Sequence, residues 1–281
     1  MQKNKIKYVT VFFLLSCILF SACSAKSNTS ASIKEQKPST QLKEAAVEKS
    51  EKVIETVDEN DVFKPQLLYA LSERDIYLYS NVDGVTLNVG DTHHDFNWPY
   101  MTPRGISPRM QVSDFDSDGK DELLVILYVG SGTGVSVEEL HIVEISEDKT
   151  LSGKQLGSPN PEYFKDHMFS NYTSQLDTDI GFRTFNKAGE LMVNITTHTK
   201  TYTVSLKNFQ SKDYGKIDDK ICFGNIVRFN TENNKIMAEF GVGITSQYNP
   251  DPFYIGSIDA EVEYNTGTFK MKNFHFSEST E

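Results

Sequence analysis

Asp114-Phe115-Asp116-Ser117-Asp118-Gly119-Lys120-Asp121-Glu122 runs without interruption into Leu123-Leu124-Val125-Ile126-Leu127-Tyr128-Val129. The second half is a continuous apolar run of strand length, as in a strand buried on both faces. The first half sets carboxylates at loop positions 1, 3, 5 and 9, with glycine at 6. Calcium takes six to eight hard oxygens at about 2.3–2.6 Å. Alternate residues of a tight loop can aim their oxygens at one centre, and Gly119 permits the sharp turn after position 5. Asp114, Asp116, Asp118 and Glu122 are the side-chain candidates, and the carbonyl of Lys120 is a natural backbone ligand. Four converging carboxylates repel one another without a cation. Magnesium demands a smaller, stiffer octahedron and fits less well. The alternative is an acidic surface turn that holds no metal.

An EF-hand opens the same way but needs a bidentate acid at position 12 and flanking helices. Position 12 is Val125, already inside the apolar run, and Met110-Gln111-Val112-Ser113 upstream reads as strand. An EF-hand is therefore rejected. Outward from the loop the pattern stays strand-like. Asp75 to Ser80 alternates, Asp83-Gly84 makes a turn, and Val85 to Val89 alternates again. Val135–Ile145, Leu191–Thr196, Lys200–Leu206, Asn225–Phe229, Lys235–Val242, Ile258–Tyr264 and Thr268–Phe276 complete roughly ten expected strands. Turn signals separate them at Lys187-Ala188-Gly189, Glu232-Asn233-Asn234 and Asn265-Thr266-Gly267. No long segment shows helical periodicity with caps, so the class is mainly β.

The order strand, DxDxDGxxE, apolar strand resembles the calcium loop of the FG-GAP/VCBS repeats of integrin-like β-propellers. The resemblance implies calcium ligation by Asp114, Asp116, Asp118, the Lys120 carbonyl and Glu122, with Asp121 facing solvent. It covers about 20 residues, and one copy is present where the family repeats the loop across several blades. The fold it implies is a small or degenerate β-propeller-like domain of four or five blades; a β-sandwich carrying a calcium loop is the alternative.

Other residues invite a chemical reading. In Val135–Ile145, alternation puts Glu139 and His141 on one otherwise apolar face. Such a pair can serve as acid and base or as a second metal site, or it can be a satisfied buried pair. Phe96, Trp98 and Tyr100 could line a sugar or peptide groove, or pack in the core. His93 and His94 are adjacent and point opposite ways in a strand, which disfavours a shared metal. Tyr248 to Tyr254 reads as a rigid aromatic loop. Gly130-Ser131-Gly132-Thr133-Gly134 has the glycine content of a phosphate loop but neither a Lys-Ser/Thr pair nor a following helix start, so it reads as a tight β-connection. No Ser-His-Asp, Cys-His or zinc spacing occurs in a supporting context.

The chain begins with Lys3, Lys5 and Lys7, followed by an apolar stretch from Tyr8 to Phe20. That stretch is shorter than the roughly 20 residues needed to span a bilayer and matches the h-region of a signal peptide. Phe20-Ser21-Ala22-Cys23 resembles the lipobox of bacterial lipoproteins, departing at Phe20 where leucine is usual. Leu14-Leu15-Ser16-Cys17 resembles it too, but cleavage there leaves a very short h-region. The resemblance implies a signal peptide over 1–22 and lipidation of Cys23. Its acyl chains would hold the protein to the membrane at about 0.8 kcal/mol per buried methylene. Only Cys222 then remains of the three cysteines, so no intramolecular disulfide forms. Residues 23–61, without an aromatic residue and rich in Ser, Thr, Lys and Glu, read as a flexible tether. A calcium-binding all-β domain is expected over 62–281.

The formal net charge is −11, and the leader takes three lysines and no acid with it, leaving a more acidic chain. A nucleic-acid partner is disfavoured, because phosphate binding needs clustered Lys and Arg. The expected protein is a lipid-anchored module on the extracellular face of the cell membrane. Calcium would be a structural cofactor, and a glycan or a protein the ligand of a non-enzymatic binding or adhesion surface. An envelope hydrolase using Glu139 and His141, or a purely structural envelope protein, are the rivals.

Overall fold

The run Leu123–Leu127 is buried almost without exception, and its neighbours explain the whole architecture. The computed structural model describes residues 63–146, 163–210 and 214–279. The segment read as a signal peptide over 1–22, the expected lipidation site Cys23 and the segment read as a tether over 23–61 lie outside the described residues. Sixteen strands occur among the described residues: β1 Leu67–Leu71, β2 Ile76–Ser80, β3 Val85–Val89, β4 Thr92–Phe96, β5 Arg109–Ser113, β6 Glu122–Gly132, β7 Val135–Ile145 and β8 Phe164–Met168 come first. Then follow β9 Gly181–Lys187, β10 Glu190–Thr196, β11 Thr201–Ser205, β12 Ile217–Cys222, β13 Ile226–Glu232, β14 Lys235–Ser246, β15 Asn249–Asn265 and β16 Thr268–Glu278. Helix α1 spans Tyr172–Asp179 and a single turn, α2, spans Lys207–Gln210.

Strands β1 to β4 form an antiparallel meander, and β9 to β11 a second. The main sheet has the order β16-β15-β14-β13-β7-β6-β5, with β8 also on β7 and β12 also on β14. Strand β6 serves two cores. Leu123, Val125 and Leu127 join Ile76, Leu78, Val85, Leu87, Phe96 and Trp98 of the four-stranded side. Leu124 and Ile126 join the residues of β13 to β16, the three-stranded sheet and α1. Alternation on a pleated strand makes this division automatic once both faces are covered.

The mainly β expectation holds. Propeller closure is not seen: the described sheets are open, and one of them carries nine strands instead of repeated four-stranded blades. The sandwich-like alternative is the better description, with the four-stranded sheet laid on one face of the β5–β8 half.

The main sheet has one weak seam in its backbone ladder. Strand β13 pairs with β7 in parallel through only two positions, Ile226 with Ser136 and Val227 with Val137. Side chains continue the pairing where the ladder stops. Glu138 on β7 accepts from the Phe229 N–H at 2.8 Å. Arg109 on β5 donates to the Phe229 carbonyl at 2.7 Å. The two side chains hold each other in a bidentate pair at 3.0 and 2.9 Å. Glu138 is buried, so its charge is compensated where water cannot reach it.

Two sequence readings are corrected. Asn249–Tyr254, read as part of an aromatic loop, belongs to β15. Its backbone pairs with β14 through Ser246–Asn249, Ile244–Phe253 and Gly243–Tyr254. Pro250 and Pro252 are tolerated because β16 begins pairing only at Gly256, which leaves that edge free of ladder partners. Cys222, whose place in Ile221-Cys222-Phe223 reads as that of a small buried hydrophobe, is a half-buried free thiol whose pKa burial raises.

Candidate metal centre

The acidic loop joins β5 to β6, and both flanks fix it. Ser113 pairs with Glu122 at the mouth of the hairpin, so the first and last ligand candidates leave adjacent strands. The turn between them is wound tightly on its own carboxylates. Asp114 accepts from the Asp118 and Gly119 N–H groups, each at 3.1 Å. Asp116 accepts from the Asp118 N–H at 3.1 Å, and Asp118 accepts from the Lys120 N–H at 2.8 Å. Gly119 has φ +91°, the conformation that its place in the motif anticipates, and Ser117 also sits in the left-handed region at +62°.

The result is convergence. Carboxylate oxygens of Asp114, Asp116, Asp118 and Glu122 all lie within 4.8 Å of one another. Glu122 is the buried member, 4% exposed, and it accepts from the Phe115 N–H at 2.7 Å. Its pKa is raised to about 7. Burial is the largest cause, and the charges of Asp116, Asp118 and Asp114 add to it against the opposing Phe115 hydrogen bond. The oxygen chemistry and the mixture of exposed and buried carboxylates suit a hard divalent cation.

Asp121 lies apart from this set. It is exposed and faces Arg74, the end of the turn after β1, at 3.3 Å. Lys120 is also exposed, and its side chain borders a cavity of about 260 Å³ together with Asp116, Asp118, Glu122, Tyr163 and Lys165. On another side the loop meets the β15–β16 turn: the Thr266 N–H and hydroxyl lie 3.3 and 3.4 Å from Asp116 Oδ2. That turn needs Gly267, with φ +84°, because a Cβ there would stand 2.6 Å from the His167 ring. Behind it, Tyr264 donates to Glu144 at 2.6 Å, and Glu144 also meets Lys165 and His167. Burial opposes the charge of Glu144, yet these partners outweigh it and hold its pKa below the ordinary value.

The three remaining sequence candidates come together elsewhere. Glu139 Oε2 is 3.7 Å from His141 Nε2, and the Trp98 ring lies 4.2 Å from the His141 ring, centroid to centroid. Asp166 on β8, which the sequence reading missed, is 3.1 Å from His141 Nδ1 and accepts from Trp98 Nε1 at 2.8 Å. The only sequence signal for it was indirect: a buried indole N–H requires an acceptor. Trp98 is 6% exposed and His141 1%, so these groups lie in the core and not along an open groove. Phe96 is likewise buried, and Tyr100 packs against the same core. Among the described residues no helix is long and apolar enough to cross a membrane. Comparison with protein-family models, with curated proteins and with solved structures returns no match.

Proposed function

We propose that the chain is a lipid-anchored surface module whose β domain holds one structural calcium ion in the β5–β6 loop and presents a non-enzymatic binding surface for a glycan or protein ligand. The observation that carries the metal is the convergence of four carboxylates on one point, one of them buried. Asp114, Asp116, Asp118 and Glu122 would supply side-chain oxygens, with the Lys120 carbonyl and water completing the shell. The ion would offset much of the loop's negative charge and tie it to the β15–β16 turn through Asp116. A hydrolase reading is not favoured, because the imidazole of His141 is 1% exposed and its Nε2 is not offered to a substrate.

Calcium should raise the melting temperature of the full chain. A hundredfold excess over the dissociation constant is worth about 2.7 kcal/mol, a rise of roughly 5–10 °C for a domain of this size. Asp116→Ala should abolish the rise, while Asp121→Ala, whose carboxylate faces Arg74, should leave it nearly intact. Equal losses in both variants would mean a diffuse acidic patch in place of a coordinating loop.

The anchor rests on the leader and on Cys23. Cys23→Ser should move the protein from the membrane fraction to the soluble one, because the lipid acceptor is lost. If Cys17→Ser does this and Cys23→Ser does not, the cleavage site is the earlier one.

A further inference from the structure

The only tryptophan of the chain lies against a buried histidine. A run of ring contacts leads to it: His94 meets Phe96 at 4.5 Å, Phe96 stacks on Trp98 at 4.0 Å, and Trp98 meets His141 at 4.2 Å. His94 and Phe96 belong to β4 and Trp98 follows it, whereas His141 belongs to β7. The rings therefore cross from the four-stranded sheet to the main sheet.

One carboxylate serves both sides of that seam. Asp166 accepts from Trp98 Nε1 and lies 3.1 and 3.2 Å from His141 Nδ1 through its two oxygens. The other imidazole nitrogen, Nε2, faces Glu139 Oε2 at 3.7 Å, and among the described residues neither atom has a hydrogen-bond partner. A protonated imidazole donates from both nitrogens, so it can serve Asp166 and approach Glu139 together. A neutral imidazole has one N–H. That N–H can approach only one of the two carboxylates, and both then face a site without a cation.

We propose that His141 is a proton-operated latch between the two sheets: protonated, it holds Trp98 and the β1–β4 sheet on β7 and β8, and its deprotonation loosens that seam.

Burial works against the charged imidazole, but the hydrogen bond to Asp166 and the negative charges of Asp166 and Glu139 outweigh it, so the pKa of His141 lies above the ordinary 6.5. The sign follows. A group whose pKa is raised by folding stabilises the fold fully below its unfolded value, and that contribution is lost as pH climbs through the folded value. The other titratable groups facing this cluster are told apart by the direction of their shifts. His94 on β4 is shifted the opposite way, chiefly by burial, while the charges of Asp95, His93 and, as the smallest influence, Asp166 also act on it. Tyr172 on α1 is pushed up by burial and by the charge of Glu139, so it stays neutral over this range. Val125 and Leu127 of β6, opposite His141 and Glu139, and Met168 of β8 carry no charge.

Trp98 makes the test direct, because an imidazolium in contact with indole quenches its emission by accepting an electron. The full chain, with calcium held constant, is titrated from about pH 5 to about pH 9 while tryptophan fluorescence and melting temperature are followed. Emission should rise through one transition centred above 6.5, and the stability difference between the wild type and Glu139→Gln should shrink over the same interval; Glu122, raised to about 7 in both, cancels in that difference. Glu139→Gln should lower the midpoint by about 1 in pH, and His94→Gln should leave it in place. His141→Gln should abolish the transition; should that variant fail to fold, the Glu139→Gln displacement decides. Flat wild-type emission, a midpoint that Glu139→Gln leaves unmoved, or one that moves with His94→Gln would overturn the latch.

Discussion

Phe240→Ala is expected to cost the fold about 3–5 kcal/mol. Phe240 on β14 is 0% exposed and sits where α1 meets the main sheet. Its ring stacks on Tyr172 of α1 at 5.3 Å and meets Phe229 of β13 edge-on at 6.3 Å. Collapse around the void is restricted, because the backbone of Phe240 is paired on both sides, with Val227 and with Ile258. The loss therefore contains a cavity contribution beyond the hydrophobic transfer of the ring. Small domains hold a net stability of about 5–15 kcal/mol, so a large share would go. Urea unfolding should show a much lower midpoint with an unchanged slope. A loss below about 1 kcal/mol would mean that α1 is not docked on this ring.

Glu138→Ala is the second large effect, at about 2–4 kcal/mol. The carboxylate is buried and satisfies two groups at once, the Arg109 guanidinium and the Phe229 N–H. Arg109 is less enclosed, with 43% of its side chain exposed, and can turn to water; this keeps the cost below that of a wholly buried broken pair. The Phe229 N–H has no such escape. It lies where the β7–β13 ladder has already ended, so no backbone carbonyl of β7 takes it up. Glu138→Gln, which keeps an acceptor in place, should recover part of the loss. Hydrogen exchange at Phe229 should accelerate in the alanine variant well before exchange in β2 and β3 does.

The class of this fold was legible because its strands are patterned by their surroundings. Leu123–Leu127 read as buried on both faces, and two separate cores cover it. The alternating Asp75–Ser80 and Val85–Val89 segments lie in the four-stranded sheet, over-extended by at most one residue. The global arrangement was not legible, because alternation states which side chains are covered and not by which sheet. A single calcium-like loop therefore suggested blades that the strand order does not contain. Strands β8 and β9 escaped notice because Phe164–Met168 and Gly181–Lys187 carry charges on exposed faces and little alternation. The β7–β13 connection was hidden for a different reason: a parallel pairing of two residues separated by about ninety positions leaves no local trace.

At the site, the spacing of Asp114, Asp116, Asp118 and Glu122 announced their convergence, since a tight turn has few ways to place alternate carboxylates. Asp121 was read as pointing away, and it does so toward Arg74. The contact of Asp116 with Thr266 was beyond reach, because it depends on how β15 and β16 return to the loop. The pairing of Glu139 with His141 followed from parity along β7. Asp166 did not, because it arrives on a different strand.

Calorimetric titration of the full chain with calcium decides whether the β5–β6 loop is a metal centre. One ion should bind per chain, with heat and stoichiometry retained in Asp121→Ala and lost in Asp116→Ala. Magnesium at equal concentration should bind more weakly, because its octahedron is too small for these crowded oxygens. No heat from the wild-type chain, or equal weakening in the two variants, would contradict a calcium centre at the β5–β6 loop.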